Sequence, residues 1–575
     1  MSNKKPFSSP AIREMGTQAH PTAANLDQNH DRPLANFPPT VWGSNFASLS
    51  LFNQEIESCT KKVEDLKEKV KEKLAASKEN LAKNIGFIDL LCRLGVSYHF
   101  EKEIDEQSHH IFNVIHDDIG NIDYDIYTVA LLFRVLRQHG FQVPCNVFQK
   151  FKDSEGKFKE DITKDVKSIL SLYEATFVSM RGEDILDEAL VFVRPHLECF
   201  ATQSSSNLAK HIKDALSLPF HRGLPRVEAR KYISFCEQEE SHDETLLKFA
   251  KLDYNRLQLL YKQELGIVSR WWKEINITEK LPYARERIVE GYFIGIGVHF
   301  EPQFGLSRIL VGKCVELLAL VDDTYDSYVI SPLYTRFLNE IFFFLLVTSR
   351  SNINAIDELP TDYLKILYKA VLIFFDEWVT DERKEGGTFC LNYTKEKFKE
   401  LARSYLTETK WFYDRHLPSF DEYMRNALIS STFALLSAVT AVGMGKLAGV
   451  KEFQWLQSNP RIVDSSKFFG RLINDMVARQ DEQKEGHCLA GDCYMRQYGV
   501  SKEKAMEELR KICDNAWKVM NEELMKPNEV PMPLLMTNIN LARVMEVVYQ
   551  CGDAFTYSSG LKDYIKLVLL QPIPE

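Results

Sequence analysis

Residues 309–330 read ILVGKCVELLALVDDTYDSYVI. The first half is apolar on nearly every face, the pattern of a helix buried at the centre of a bundle. The chain then delivers Asp322, Asp323 and Asp326 within five residues, and Pro332 stops the helix soon after. With about 3.6 residues per turn, Asp322 and Asp326 stack on one face. Like charges at that spacing repel, and anions at a helix C-terminus oppose the helix dipole, each by a few tenths of a kcal/mol. A solvated helix end tolerates such costs, and that is the plain reading of an isolated acidic cluster. An apolar run leading straight into it argues for a second reading. Carboxylate oxygens are hard ligands, and Mg²⁺ usually shares them with a substrate phosphate.

Working outward, most of the chain carries apolar residues at i, i+3, i+4 spacing, as in 54–84, 163–181, 243–266, 305–326 and 461–485. No series of short alternating strands appears, no Gly-rich turn follows a strand, and no fixed-period repeat is present. The expected class is all-α, with two helical domains. Residues 1–46, interrupted by Pro33, Pro38 and Pro39, read as an extended arm. Residues 47–240 form a first helical block, the polar stretch 237–244 (EQEESHDE) a linker, and 241–575 a larger second block.

Composition narrows the function classes. At 575 residues and 45% hydrophobic content the chain can bury substantial cores, which excludes a disordered protein. A net charge of −10 excludes an electrostatic nucleic-acid binder. The eleven cysteines include no C-x-x-C pair, so reduced thiols and a reducing compartment are expected. No apolar signal segment opens the sequence, and the longest dense apolar run, 341–347, is far below the ~20 residues of a membrane span. A cytosolic monomer without a membrane span is the expectation.

A second polar stripe lies in 461–486, RIVDSSKFFGRLINDMVARQDEQKEG. Asn474, Ala478 and Glu482 fall at i, i+4, i+8, and Arg471 lies one turn before. Alone this is an ordinary helix face; opposite the aspartates it offers oxygens for several Mg²⁺. Upstream, Arg285 and Arg287 supply guanidinium groups suited to bidentate phosphate contact.

Taken together, Arg285-Glu286-Arg287, Asp322-Asp323-Thr324-Tyr325-Asp326 and Asn474-Asp475-x-x-Ala478-x-x-x-Glu482 resemble the class I plant terpene synthase family. Arg32-Pro33 ahead of Trp42, LYEA at 172–175, GEDILDEAL at 182–190, RWWKEI at 270–275 and GDAFT at 552–556 agree. The resemblance runs from about residue 30 to the end of the sequence. It implies an N-terminal relic α-barrel and a C-terminal bundle that binds three Mg²⁺, with Mn²⁺ able to substitute, and an isoprenyl diphosphate. Asp322 and Asp326, supported by Asp323, would hold two ions, and Asn474 and Glu482 the third. Arg285 and Arg471 would receive the departing diphosphate, with Arg287 counted among the catalytic residues. Ile294, Ser430, Ser431, Thr432, Phe433, Tyr549, Asp553 and Phe555 match the family's pocket.

The Arg-Pro form of the N-terminal motif resembles the angiosperm sesquiterpene synthases, which implies farnesyl diphosphate; geranyl and geranylgeranyl diphosphate stay open. Ala478 replaces the usual Ser or Thr metal ligand, Ile294 the frequent Trp, Phe555 the frequent Tyr, and Glu286 the usual Asp. The first block lacks the D-x-D-D of protonation-initiated cyclases, and His116-Asp117-Asp118 reads as a solvated face. The arm bearing Arg32 and Trp42 is expected to fold over the catalytic domain. A chain-elongating prenyltransferase would show two D-D-x-x-D motifs in about half the length, and a non-catalytic helical scaffold would leave the aspartate cluster without a cause.

Overall fold

The computed structural model describes residues 37–43, 45–48, 52–116, 124–328, 359, 362–379, 387–485 and 488–574; Arg32, Asp117, Asp118 and the apolar run 341–347 lie outside them. Among the described residues there is no strand, only one isolated antiparallel bridge between Lys152 and Phe158. The rest of the regular structure is helical.

Among the described residues, eight α-helices from Asn53–Ala76 to Pro225–Cys236 enclose a first apolar core, to which Val63, Ile88, Phe133, Leu172 and Leu197 each contribute with no exposed area. Beneath it sits a buried ionic cluster in which Arg93 pairs with Asp89 and Glu174, and Arg134 with Asp89. Four buried charges in mutual contact meet the requirement that each loses water only in exchange for a partner.

The helix Glu244–Ile275 joins the two halves. Asp243 caps it by accepting from Leu246 N–H, and Asn276, at φ 52°, ends it. Thirty-two residues give it a length of about 48 Å. Leu246 to Tyr254 pack into the first core, whereas Leu257 to Trp272 pack into the second. One rigid element is thus shared by both cores.

Within the second half, the fully buried helix Ile288–Val298 lies against Gly305–Tyr328, the helix that carries the aspartates. Small residues allow the approach: a β-carbon on Gly295 would stand 2.7 Å from the Arg308 carbonyl oxygen. The segment Phe420–Gly443 is, among the described residues, long and apolar enough to cross a membrane. It is mostly buried in the protein and is broken into Phe420–Ser430 and Phe433–Gly443 by Thr432, which adopts φ 69°.

His221 marks the seam between the halves. Its Nε2 donates to Asn521 Oδ1 at 2.9 Å, and its Nδ1 accepts from Gln138 at 3.3 Å. Burial, assisted by the Arg543 guanidinium, pushes the imidazole down to about 3. The neutral ring therefore satisfies both neighbours.

Candidate active site

A cavity of about 340 Å³ opens in the second half, bounded by Gly305–Tyr328, Ile288–Val298, the broken Phe420–Gly443 segment, Arg461–Glu485 and the loop after Val548. Small-molecule sites occupy roughly 300–1,000 Å³. Its walls include twelve of the positions singled out in the sequence: Arg285, Ile294, Asp322, Ser430, Ser431, Thr432, Phe433, Arg471, Asn474, Tyr549, Asp553 and Phe555.

At one edge Arg285 is held in a fixed pose. Its Nη2 donates to Asp322 Oδ2 at 2.8 Å, its Nη1 to Thr556 Oγ1 at 2.9 Å, and its Nε lies 2.7 Å from Asp323 Oδ1. Asp322 remains 38% exposed, so its carboxylate is accessible from the cavity. Asp323 is turned inward and buried, where its second oxygen accepts Arg285 N–H at 2.7 Å. Burial pushes the Asp323 carboxyl up to about 6, with Arg285 opposing and Asp322 adding to the rise. The two adjacent aspartates thus divide the work: Asp322 faces the cavity, and Asp323 orients the arginine.

Arg471 is pinned in the same manner. Its Nε donates to Tyr423 Oη at 3.0 Å and lies 2.9 Å from Asp475 Oδ1, while its Nη1 donates to Ser430 Oγ at 3.2 Å. Tyr423 in turn donates to Asp475 Oδ2 at 2.6 Å. Asn474 gives its amide N–H to Tyr549 Oη at 2.6 Å. Its carbonyl oxygen remains as a hard donor beside the cavity.

Glu408 is the residue that sequence reasoning missed. It borders the cavity, accepts from Ser430 Oγ at 2.6 Å, and lies 3.7 Å from Arg471 Nη1. Burial raises its pKa against the pull of Arg471, and Asp322 pushes in the same direction. Nothing local in LTETKWFY marks it, because its partners are 22 and 63 positions away. Tyr405, Trp411 and Tyr423 complete an aromatic wall that sequence spacing also left unnoticed.

The apolar wall depends on one close packing. A β-carbon on Gly470 would stand 2.2 Å from two Phe433 ring atoms, so only glycine there leaves the ring its place. The turn at Thr432 directs Phe433 and Ser430 to the same cavity.

Two sequence-derived positions do not border the cavity. Asp323 is the buried partner just described. Arg287 has no exposed area, and its guanidinium donates to the carbonyl oxygens of Phe555, Glu286, Pro38 and Thr556 at 2.7–2.9 Å. Asp326 lies in the Gly305–Tyr328 helix and Glu482 in Arg461–Glu485, with Ala478; their side chains fall outside the described residues. Asp553 borders the cavity but spends one carboxylate oxygen on the N–H groups of Phe555 and Thr556, both at 3.0 Å. It shapes its own loop.

Among the described residues no cluster of three His, Cys, Asp or Glu side chains is preassembled around a metal position. The donors that are described, Asp322, Glu408 and the Asn474 carbonyl, are all hard oxygens on one cavity. They suit Mg²⁺ rather than a thiophilic ion.

This architecture, two helical halves with an aspartate-lined cavity in the second, has close counterparts. The terpene synthase metal-binding domain matches residues 273–519, and the terpene synthase N-terminal domain matches 41–216. The chain is 52% identical over 556 residues to a probable terpene synthase 6 of Ricinus communis, covering 94% of this chain and 99% of that one. It is 42% identical to casbene synthase of Ricinus communis (99% and 93% covered) and 43% identical to a valerianol synthase of Camellia hiemalis (94% and 97%). The isoprene synthase of grey poplar leaves, solved with three Mg²⁺ ions and dimethylallyl-S-thiolodiphosphate, superposes with a TM-score of 0.82 at 32% identity, covering 93% of this chain and 99% of that one. The chain belongs to the terpene synthase family, lyases acting on prenyl diphosphates.

Proposed function

We propose that the protein is a sesquiterpene synthase that ionises farnesyl diphosphate and converts the resulting cation to a hydrocarbon or alcohol. The observation carrying this reading is the polarity of the cavity. Arg285, Arg471, Asp322 and Asn474 bring charge and hard oxygens to it, and Ile294, Phe433, Tyr405 and Trp411 bring apolar and aromatic surface. The Arg32-Pro33 form of the N-terminal motif supports farnesyl diphosphate among the prenyl diphosphates.

In the proposed reaction the allylic C–O bond breaks heterolytically and its electron pair leaves with the diphosphate. Arg285 and Arg471, each fixed by carboxylates, meet that charge without reorganising. Mg²⁺, held by Asp322 and Asp326 and by Asn474 and Glu482, would supply the remaining charge neutralisation. The aromatic faces of Tyr405, Trp411 and Phe433 then shelter the cation by their π clouds and by excluding water. Proton loss or capture of one water ends the sequence.

The absence of a disulfide among the eleven cysteines fits a reducing compartment, and the cytosol is the proposed location. Incubation of the purified chain with farnesyl, geranyl or geranylgeranyl diphosphate, each with Mg²⁺, followed by gas chromatography, tests the function. The expected result is a terpenoid chiefly from farnesyl diphosphate. A longer prenyl diphosphate, no product, or faster turnover of another chain length would overturn it.

A further inference from the structure

Arg287 and Glu290 sit at the start of the Ile288–Val298 helix, have no exposed area, and border no part of the cavity. Each ties down a piece of chain that does. Arg287 donates to Phe555 and Thr556 carbonyls in the loop whose side chains line the cavity, and to the Pro38 carbonyl of the arm. Glu290 accepts the Trp42 indole N–H at 2.8 Å. Directly before the Pro38 anchor, Phe37 lies 4.5 Å from the Arg285 guanidinium and lines the cavity.

A diphosphate-binding arginine must turn N–H groups toward the ligand. Arg285 meets that requirement, for it borders the cavity beside Asp322. Arg287 does not: to reach a diphosphate it would abandon hydrogen bonds to four half-buried carbonyl oxygens, each worth more for involving a charged donor. Its own backbone is fixed as well, since its N–H is shared by both oxygens of the buried Glu316 at 3.0 and 3.1 Å.

We infer that Arg287 and Glu290 are positioning residues forming a latch that seats the 37–42 arm and the 553–557 loop over the cavity mouth, and that Arg287 is not a diphosphate ligand. The latch acts on the reaction by excluding water from the cation. The inference rests on the proposed function only where a product ratio is read. Proteolysis and diphosphate binding report on the latch whatever the substrate.

The test uses the full chain and four variants: Arg287→Lys, Glu290→Leu, Glu290→Gln and Trp42→Phe. Chymotrypsin cleavage near residues 42 and 46, mapped by mass spectrometry, reads release of the arm. Calorimetry with inorganic diphosphate and Mg²⁺ reads the ligand site. Gas chromatography of the farnesyl diphosphate products reads water capture. Losing a half-buried hydrogen bond to a charged group corresponds to roughly tenfold, so Arg287→Lys, Glu290→Leu and Trp42→Phe should accelerate cleavage at least about fivefold. Glu290→Gln keeps an acceptor for the indole and should stay within about twofold of wild type. Diphosphate affinity should change by less than about twofold throughout, while the alcohol fraction rises in the three fast-cleaving variants. Trp42→Phe leaves the buried acid in place and serves if Glu290→Leu fails to fold. Unchanged cleavage in Arg287→Lys and Trp42→Phe, or a tenfold loss of diphosphate affinity in Arg287→Lys, would overturn the inference.

Discussion

Gly470→Ala is the sharpest test of how the cavity wall is built. The added methyl would lie 2.2 Å from Cε2 and Cζ of Phe433 and 3.1 Å from its Cδ2. Carbon atoms rest about 3.5–4.0 Å apart, so the ring must retreat by roughly 1.3 Å or more. Phe433 is buried with 2% exposure, and its open side is the cavity. Two terms then compete. Replacing a mid-helix glycine by alanine gains about 1 kcal/mol, and overpacking a core costs about 1–3 kcal/mol. Because the ring can move into empty space, the net loss should stay below about 2 kcal/mol by urea unfolding. The displaced ring narrows the cavity beside Thr432, and ~1.4 kcal/mol suffices for a tenfold change in a branching ratio. Product profiling with farnesyl diphosphate should therefore show a redistribution and a raised KM. A double-mutant cycle with Phe433→Leu should give a coupling of at least about 1 kcal/mol. A wild-type product ratio together with coupling near zero would refute the packing argument.

Three further outcomes are expected. Asp322→Ala should lower kcat by more than tenfold, above ~1.4 kcal/mol, while the Tm in metal-free buffer holds, because relief of the repulsion from Asp323 offsets the loss of the half-exposed ion pair with Arg285. Ile294→Trp should shift the product ratio more than the rate of diphosphate release, since residue 294 lies on the apolar wall and a π face alters a nearby cation by about 0.5–2 kcal/mol. His221, held down to about 3 mainly by burial, stays neutral in the fold where the unfolded chain takes up a proton below its ordinary value of 6.5. Its contribution to stability is complete above about pH 6.5 and is lost as pH falls toward 3, by about 2 kcal/mol between pH 7 and pH 5. Urea unfolding of wild type and His221→Gln at both pH values should show the variant to be the flatter by that amount.

The all-helical class was legible in the chain itself, and with it the helix faces that carry Asp322, Arg471 and Asn474, because a helix repeats every few residues and local spacing determines which side chains share a face. The apolar run into Asp322 predicts a helix at 305–326, and the helix spans Gly305–Tyr328. The same logic places Asn474 and Arg471 on one stripe, and both border the cavity. Local spacing says nothing about partners hundreds of positions away. It treated Arg285 and Arg287 as equivalents two residues apart, yet one reaches Asp322 and the other the carbonyl oxygens of Pro38, Phe555 and Thr556. It gave no sign of Glu408, whose character comes from Ser430, Arg471 and burial. It did not foresee that Thr432 would take a left-handed backbone, or that residues 244–275 would form a single helix through both cores. Those outcomes follow from close packing, in which a β-carbon's width between Gly470 and Phe433 decides where a ring can stand, and only the assembled tertiary structure sets such distances.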